Sequence, residues 1–142
     1  MVYKKFKALP TILWMMLIFY LSHQPASVIN HTGIGFVDYM RLTLEPYHGD
    51  KLVHATVYFV LALTYLYALS LPNKPVLALL LAVAYGLSDE IHQLAIPGRT
   101  FEWLDLMADT MGAFLGCLLY FHYRRKWKRR LFMNAAPAES MT

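Results

Sequence analysis

Apolar residues run in four blocks along this chain, over 8–22, 52–71, 76–96 and 104–123, and the polar residues gather at their ends. A helix needs about 20 apolar residues to cross a bilayer. The last three blocks meet that length and predict membrane spans. The first is shorter, and Lys4, Lys5 and Lys7 before it give it the look of a signal-peptide core. Ser22-His23-Gln24-Pro25 offers no small-residue cleavage pattern, so the block reads as a first transmembrane helix, with Pro10 in its opening turn. Pro72 and Pro75 stop the second helix and start the third. Pro97-Gly98 closes the third, and Thr100 is the expected N-cap of the fourth, with Glu102 in its first turn. Residues 23–50 are mixed, and 34–44 reads as a short helix lying on the membrane surface. Residues 131–142 read as a disordered tail. The expected fold is all-α: one domain, a polytopic membrane protein built as a four-transmembrane-helix bundle.

Composition supports this. The chain is 58% hydrophobic and 15% charged, where soluble domains carry about 25% charged residues. The charge distribution adds a direction. Of thirteen Lys and Arg, all but Arg41, Lys51 and Arg99 lie before the first block, at Lys74, or in the run from Arg124 to Arg130. Four spans put those three segments on one side. The positive-inside rule then predicts N-in and C-in, with the 23–50 and 97–103 loops facing outward. Basic clusters at the ends of apolar helices are cytoplasmic flanks held near anionic lipid headgroups. They are not read as a nucleic-acid footprint. The lone Cys117 permits no intrachain disulfide and is read as a buried, inert thiol.

The polar groups inside the blocks carry the candidate chemistry. Ionisable side chains at membrane depth are costly, and they face a bundle interior or mark function. Lys51, His54, Tyr58, Leu61 and Tyr65 follow helical spacing on the second block. Tyr85, Asp89, His92 and Gln93 share a stripe on the third. Asp105, Asp109, Gly112 and Gly116 form one on the fourth. That last stripe ends in a G-x-x-x-G, which lets helices approach closely and assigns Gly112 and Gly116 to packing. At 1.5 Å per residue, Asp89 lies about 10 Å from the outer end of its block and Asp109 about 7 Å. Glu90 sits about 100° around the helix from Asp89, so both can point inward only into a wide cavity. Five acids, Asp50, Asp89, Glu90, Asp105 and Asp109, face Lys51 and Arg99. The excess is met by held protons or by a bound cation.

Each of these residues has a structural reading beside the functional one. The acids with His92 could be a hydrogen-bond network that locks helices. His54 and Tyr58 could simply bond to each other across one turn. Arg99 could pair with Asp105 or Glu102, or it could clamp an anionic headgroup. Oxygen and nitrogen ligands are available, but no HExxH or paired-cysteine spacing occurs, so no metal and no cofactor is predicted.

The order and spacing of these elements resemble the VanZ-like family of bacterial membrane proteins over nearly the whole chain. The residues concerned are Ser22, Gln24 and Pro25; Asp50-Lys51-x-x-His54-x-x-x-Tyr58; Ser88-Asp89-Glu90-x-x-Gln93 with Pro97-Gly98-Arg99; and Asp105-x-x-x-Asp109-x-x-Gly112. Asp109 stands where the family often has Asn. The resemblance implies a multi-pass protein of the bacterial cytoplasmic membrane, and it brings a link to teicoplanin resistance through the founding relative. It does not imply a particular reaction.

Three functions follow as expectations. In the first, the site faces outward and binds or modifies an amphiphilic, lipid-linked or glycopeptide-type envelope component. Asp89, Glu90, His92, His54 and Asp105 are its candidate catalytic groups, and Arg99, Lys51, Asp50, Tyr58, Gln93 and Asp109 its candidate binding groups. In the second, the polar core is a non-catalytic scaffold for a partner. In the third, the chain oligomerises into a proton- or cation-coupled transporter.

Overall fold

The computed structural model describes residues 6–25 and 49–134, and all its regular elements are α-helices. They are α1 (Leu9–Ser22), α2 (Gly49–Ala68), α3 (Lys74–Gln93) and α4 (Trp103–Asn134). The predicted surface helix over 34–44 lies outside the described residues, as do His31 and His48.

Local chemistry sets the helix ends. Pro10 occupies the first turn of α1 and Pro75 that of α3, where a missing N–H costs nothing. α2 starts at Gly49, three residues before its apolar block, because Asp50 suits the positive first turn. It ends at Ala68, short of Pro72, and the Lys74 ammonium donates to the Leu66 carbonyl of its last turn at 2.7 Å. α3 stops at Gln93. The following turn uses Gly98 at φ 76°, a left-handed conformation that glycine adopts without strain. α4 starts at Trp103, so Thr100 is not its N-cap. Instead the Glu102 N–H is held by the Glu90 carboxylate of α3 at 2.8 Å.

At its other end α4 runs to Asn134, well past the apolar block. Lys and Arg are good helix formers, and no Gly or Pro interrupts the sequence until Pro137. Residues 131–134 are therefore helix rather than tail, while 135–142 lie outside the described residues.

α2, α3 and the Trp103–Trp127 part of α4 are long and apolar enough to cross a membrane. α1, at 14 residues, extends about 21 Å, less than the about 30 Å of a hydrocarbon core. The helices run up and down. The C-terminal end of α1 meets that of α3 through Ser22 and Asp89, and the start of α2 meets the start of α4 through Lys51 and Asp105. At the opposite end Lys74 sits over the Tyr120 ring, and Arg124 donates to the Tyr120 hydroxyl. Lys7, Lys74 and the Arg124–Arg130 run thus share one end of the bundle. Among the described residues Lys51 and Arg99 hold the other.

The core is built from small residues and a few large ones. Ala62, Ala78, Ala82 and Ala113 are fully buried around Tyr58, Leu61 and Leu66. Small side chains let helices touch where no water exists to drive them together. The outer faces are apolar and open: Val76 is 62% exposed, Met107 65% and Phe121 58%. Such a surface suits contact with lipid rather than water. This is a multi-pass membrane helical bundle.

Candidate functional site: a polar cluster at one end of the bundle

The first turns of α2 and α4 lie side by side, and their polar stripes mesh. Lys51 Nζ contacts Asp50 Oδ2 at 2.9 Å and Glu102 Oε2 at 2.6 Å, and it also donates to Asp105 Oδ1. One turn further in, His54 Nδ1 lies 2.9 Å from Asp109 Oδ1. A carboxylate can only accept, so the imidazole donates from Nδ1. That leaves Nε2 turned toward Asp105 Oδ2, 3.8 Å away. The i, i+3 spacing of Lys51 and His54 matches the i, i+4 spacing of Asp105 and Asp109.

α3 brings two acids to opposite sides. Ser22 Oγ of α1 donates to Asp89 Oδ2 at 2.6 Å, and Gln93 Nε2 approaches the same oxygen at 3.4 Å. Glu90 turns the other way, to the start of α4. The expected wide cavity is therefore unnecessary: both acids are buried because α3 is covered on two flanks. Asp89 and Asp109 also lie nearer and farther from their helix ends than expected. Asp89 is four residues from the end of α3, about 6 Å, and Asp109 six from the start of α4, about 9 Å.

The cluster is deeply buried and incompletely paired. Asp89, Glu90, Asp105 and Asp109 are each at most 6% exposed. Glu90 Oε1, Asp109 Oδ2 and the Tyr58 hydroxyl have no hydrogen-bond partner among the described residues. Gly86 makes room here, since a Cβ on it would stand 3.1 Å from Asp109 Oδ2 and 3.3 Å from the Tyr58 ring. Buried polar atoms without partners are uncommon and call for an explanation such as a ligand.

Some expected partnerships differ. His54 bonds Asp109, not Tyr58, because α4 presents a carboxylate where the Tyr58 hydroxyl does not reach. Lys51, not Arg99, takes Glu102 and Asp105, since α2 packs directly on α4 and Arg99 sits on the 97–100 turn. His92 lies outside the buried cluster. It is half-buried, with Nε2 3.1 Å from His23 Nδ1, and its ring stacks on that of His23 and lies tilted against that of Phe19. Beside this pair an apolar groove of about 490 Å³ runs along α1 past Ile12, Met16 and Phe19 to His23, with Tyr85 of α3 as its far wall.

A family model described as VanZ/LLP1 matches residues 7–125. The chain belongs to the VanZ/LLP1 family. No curated protein and no solved structure matches it. The matched stretch of this VanZ-family chain contains the whole polar cluster and stops within α4, before the end of the basic run.

Two residues of the cluster were not candidates in the sequence. Glu102 reads as a helix-start acid, and only the packing of α2 on α4 gives it Lys51. Ser22 reads as the last residue of a short helix, although its place in the resemblance was a signal. Chemically, the arrangement offers an ammonium, an oriented imidazole and several carboxylates within a few ångströms, enough to hold a polar headgroup or to move a proton.

Lys51 is the hinge of this arrangement. Its side chain is 17% exposed and Asp105's 8%. Lys51→Met should therefore cost stability near the low end of the about 3–5 kcal/mol typical of breaking a buried pair, because Asp105 keeps its charge and loses its partner. Lys51→Met with Asp105→Asn should recover part of it. A thermal melt of both in detergent checks this, and equal melting of single and double variants would remove the pair from the stability argument.

Proposed function

We propose that this VanZ-family protein binds or chemically modifies the headgroup of an amphiphilic cell-envelope component at the outer face of a bacterial cytoplasmic membrane. The observation that carries the reading is the buried cluster itself. Four carboxyl groups and a histidine lie at one end of a membrane bundle, with two carboxylate oxygens unpaired. The groove along α1 supports it, because an acyl chain lying there places its headgroup beside His23 and the Ser22–Asp89 contact. Arg99, on the turn at this end of the bundle, supplies the positive charge a phosphate-bearing headgroup needs, since Lys51 is already taken up by three carboxylates. The Lys51 and Ser22 bonds also favour the scaffold reading, in which the same residues only hold helices together.

Lipids retained by the purified protein in nanodiscs test the proposal. Mass spectrometry should find an envelope amphiphile enriched with the unaltered chain and depleted with Asp105→Asn. Identical lipid profiles would count against it. The teicoplanin link that comes with the family is read by susceptibility of a null strain.

The outward direction rests on the cations gathered at the far end of the bundle. Reporter fusions after Thr142 and within 97–102 should report opposite sides of the membrane, cytoplasmic for the first. The same side for both would break the four-crossing topology.

A further inference from the structure

Three groups in the cluster converge from three helices: His54 of α2, Glu90 of α3 and Asp105 of α4. One ligand-type atom from each lies within 4.8 Å of the others. We infer that they form a binding site for a divalent transition-metal cation of the Zn²⁺ or Mn²⁺ type. No short-range motif announces such a site, because its members stand at positions 54, 90 and 105 and meet only through packing.

Proximity alone would not carry this, but two further observations do. Glu90 is wholly buried, its Oε2 is occupied by the Glu102 N–H, and its Oε1 has no partner among the described residues. A buried carboxylate oxygen in that position needs a proton or a cation, and a shared metal ion would satisfy it together with its two neighbours. Asp109 is the second observation. It accepts from His54 Nδ1 at 2.9 Å, which turns Nε2 toward Asp105 Oδ2 as the nitrogen a metal ion would take in exchange for any proton it carries. Metal-binding histidines almost always have their other nitrogen held in this way.

The geometry fits. Two ligands each about 2.1 Å from a tetrahedral ion stand about 3.4 Å apart. His54 Nε2 and Asp105 Oδ2 are 3.8 Å apart and all three ligand atoms lie within 4.8 Å of one another, so each pair has to draw in by at most about 1.4 Å around an ion. Lys51 does not compete for the same atom, since it takes Asp105 Oδ1. Around the site Asp50, Glu90, Glu102, Asp105 and Asp109 face Lys51, a formal charge of about −4 that a dication halves. One imidazole and two carboxylates suit zinc or manganese better than the all-oxygen preference of magnesium or calcium. A three-residue set leaves coordination positions open, through which the ion could hold a phosphate oxygen. That link to the headgroup rests on the function proposed above. The metal site does not.

The full-length chain in detergent, stripped with chelator, is titrated with Zn²⁺, and with Co²⁺ as a visible-absorption probe. One equivalent should bind, with the Co²⁺ spectrum of a low-coordinate site. His54→Gln and Glu90→Gln should each weaken binding at least about tenfold, and Asp109→Asn about 10- to 100-fold through the imidazole it orients. Asp105→Asn is a further arm and should weaken binding likewise, since Asp50 and Glu102 still hold Lys51 in it. Absence of uptake by the unaltered chain overturns the site. So does uptake that survives Glu90→Gln but disappears in His92→Ala, which would assign the metal to the His23–His92 pair. Lipid retention is followed in the same samples. Metal binding without metal-dependent retention keeps the site and removes its link to the headgroup. Retention without metal binding overturns the site and leaves the headgroup reading standing.

Discussion

Gly112→Leu should yield no folded protein in detergent, and Gly112→Ala should already lower the melting temperature sharply. A Cβ built on Gly112 would collide with the Ala55 carbonyl oxygen and stand 2.8 Å from Ala55 Cα. Both atoms are backbone of α2, so no rotamer can relieve the clash, and α2 and α4 must separate. Overpacking typically costs about 1–3 kcal/mol where side chains can adjust. Here they cannot, and the methyl alone should reach or exceed that range. Separation would also pull Lys51 from Asp105 and His54 from Asp109, which adds uncompensated buried charge. Gly116 is a graded control. Its Cβ would meet the Phe59 carbonyl at 2.9 Å and Ala62 Cβ at 3.2 Å, so Gly116→Ala should cost clearly less than Gly112→Ala. Thermal melts of the two alanine variants decide it. Equal melting of Gly112→Ala and the unaltered chain would mean that α2 and α4 do not pack as described.

That seam was legible because its cause is local. A G-x-x-x-G on the same stripe as Asp105 and Asp109 predicts close approach on one inward face, and hydropathy predicts where helices are. What the sequence could not show is which helix meets the seam, and in what register. Arg99 and Lys51 were both available to Glu102 and Asp105. The choice depends on α2 lying against α4, a contact over some fifty residues of chain. Glu90 shows the same limit. Its angle from Asp89 is set by the helix, but whether both can be buried depends on how many neighbours α3 has. The α4 end fails for another reason: hydropathy marks where apolar residues stop, while the backbone stays helical through lysines and arginines to Asn134. Burial of the acids was legible from their periodicity. Their pairing with Ser22, Glu102 and Lys51 required the fold.

Asp89→Asn, Glu90→Gln and Asp105→Asn should leave a folded protein that no longer functions. The structure says why folding should survive in the first two. Asn at 89 still offers an oxygen to Ser22 Oγ, and Gln at 90 still offers one to the Glu102 N–H. Each loses a buried charge whose desolvation is unfavourable, so the neutral variants should melt at or above the unaltered temperature. Asp105→Asn is less protected, because it weakens the contact with Lys51, yet Asp50 and Glu102 remain to hold that ammonium. Function should respond in the opposite direction. An amide neither takes up a proton at neutral pH nor binds a cation as a carboxylate does, so a site that uses its acids must fail in all three. Arg99→Lys should be partly impaired, since it keeps the charge and loses the two-pronged grip on an anionic oxygen. The measurement pairs melting temperature with complementation of the envelope phenotype of a null strain. Full complementation by all three stable amide variants would sink the site and leave the acids as helix-locking groups only.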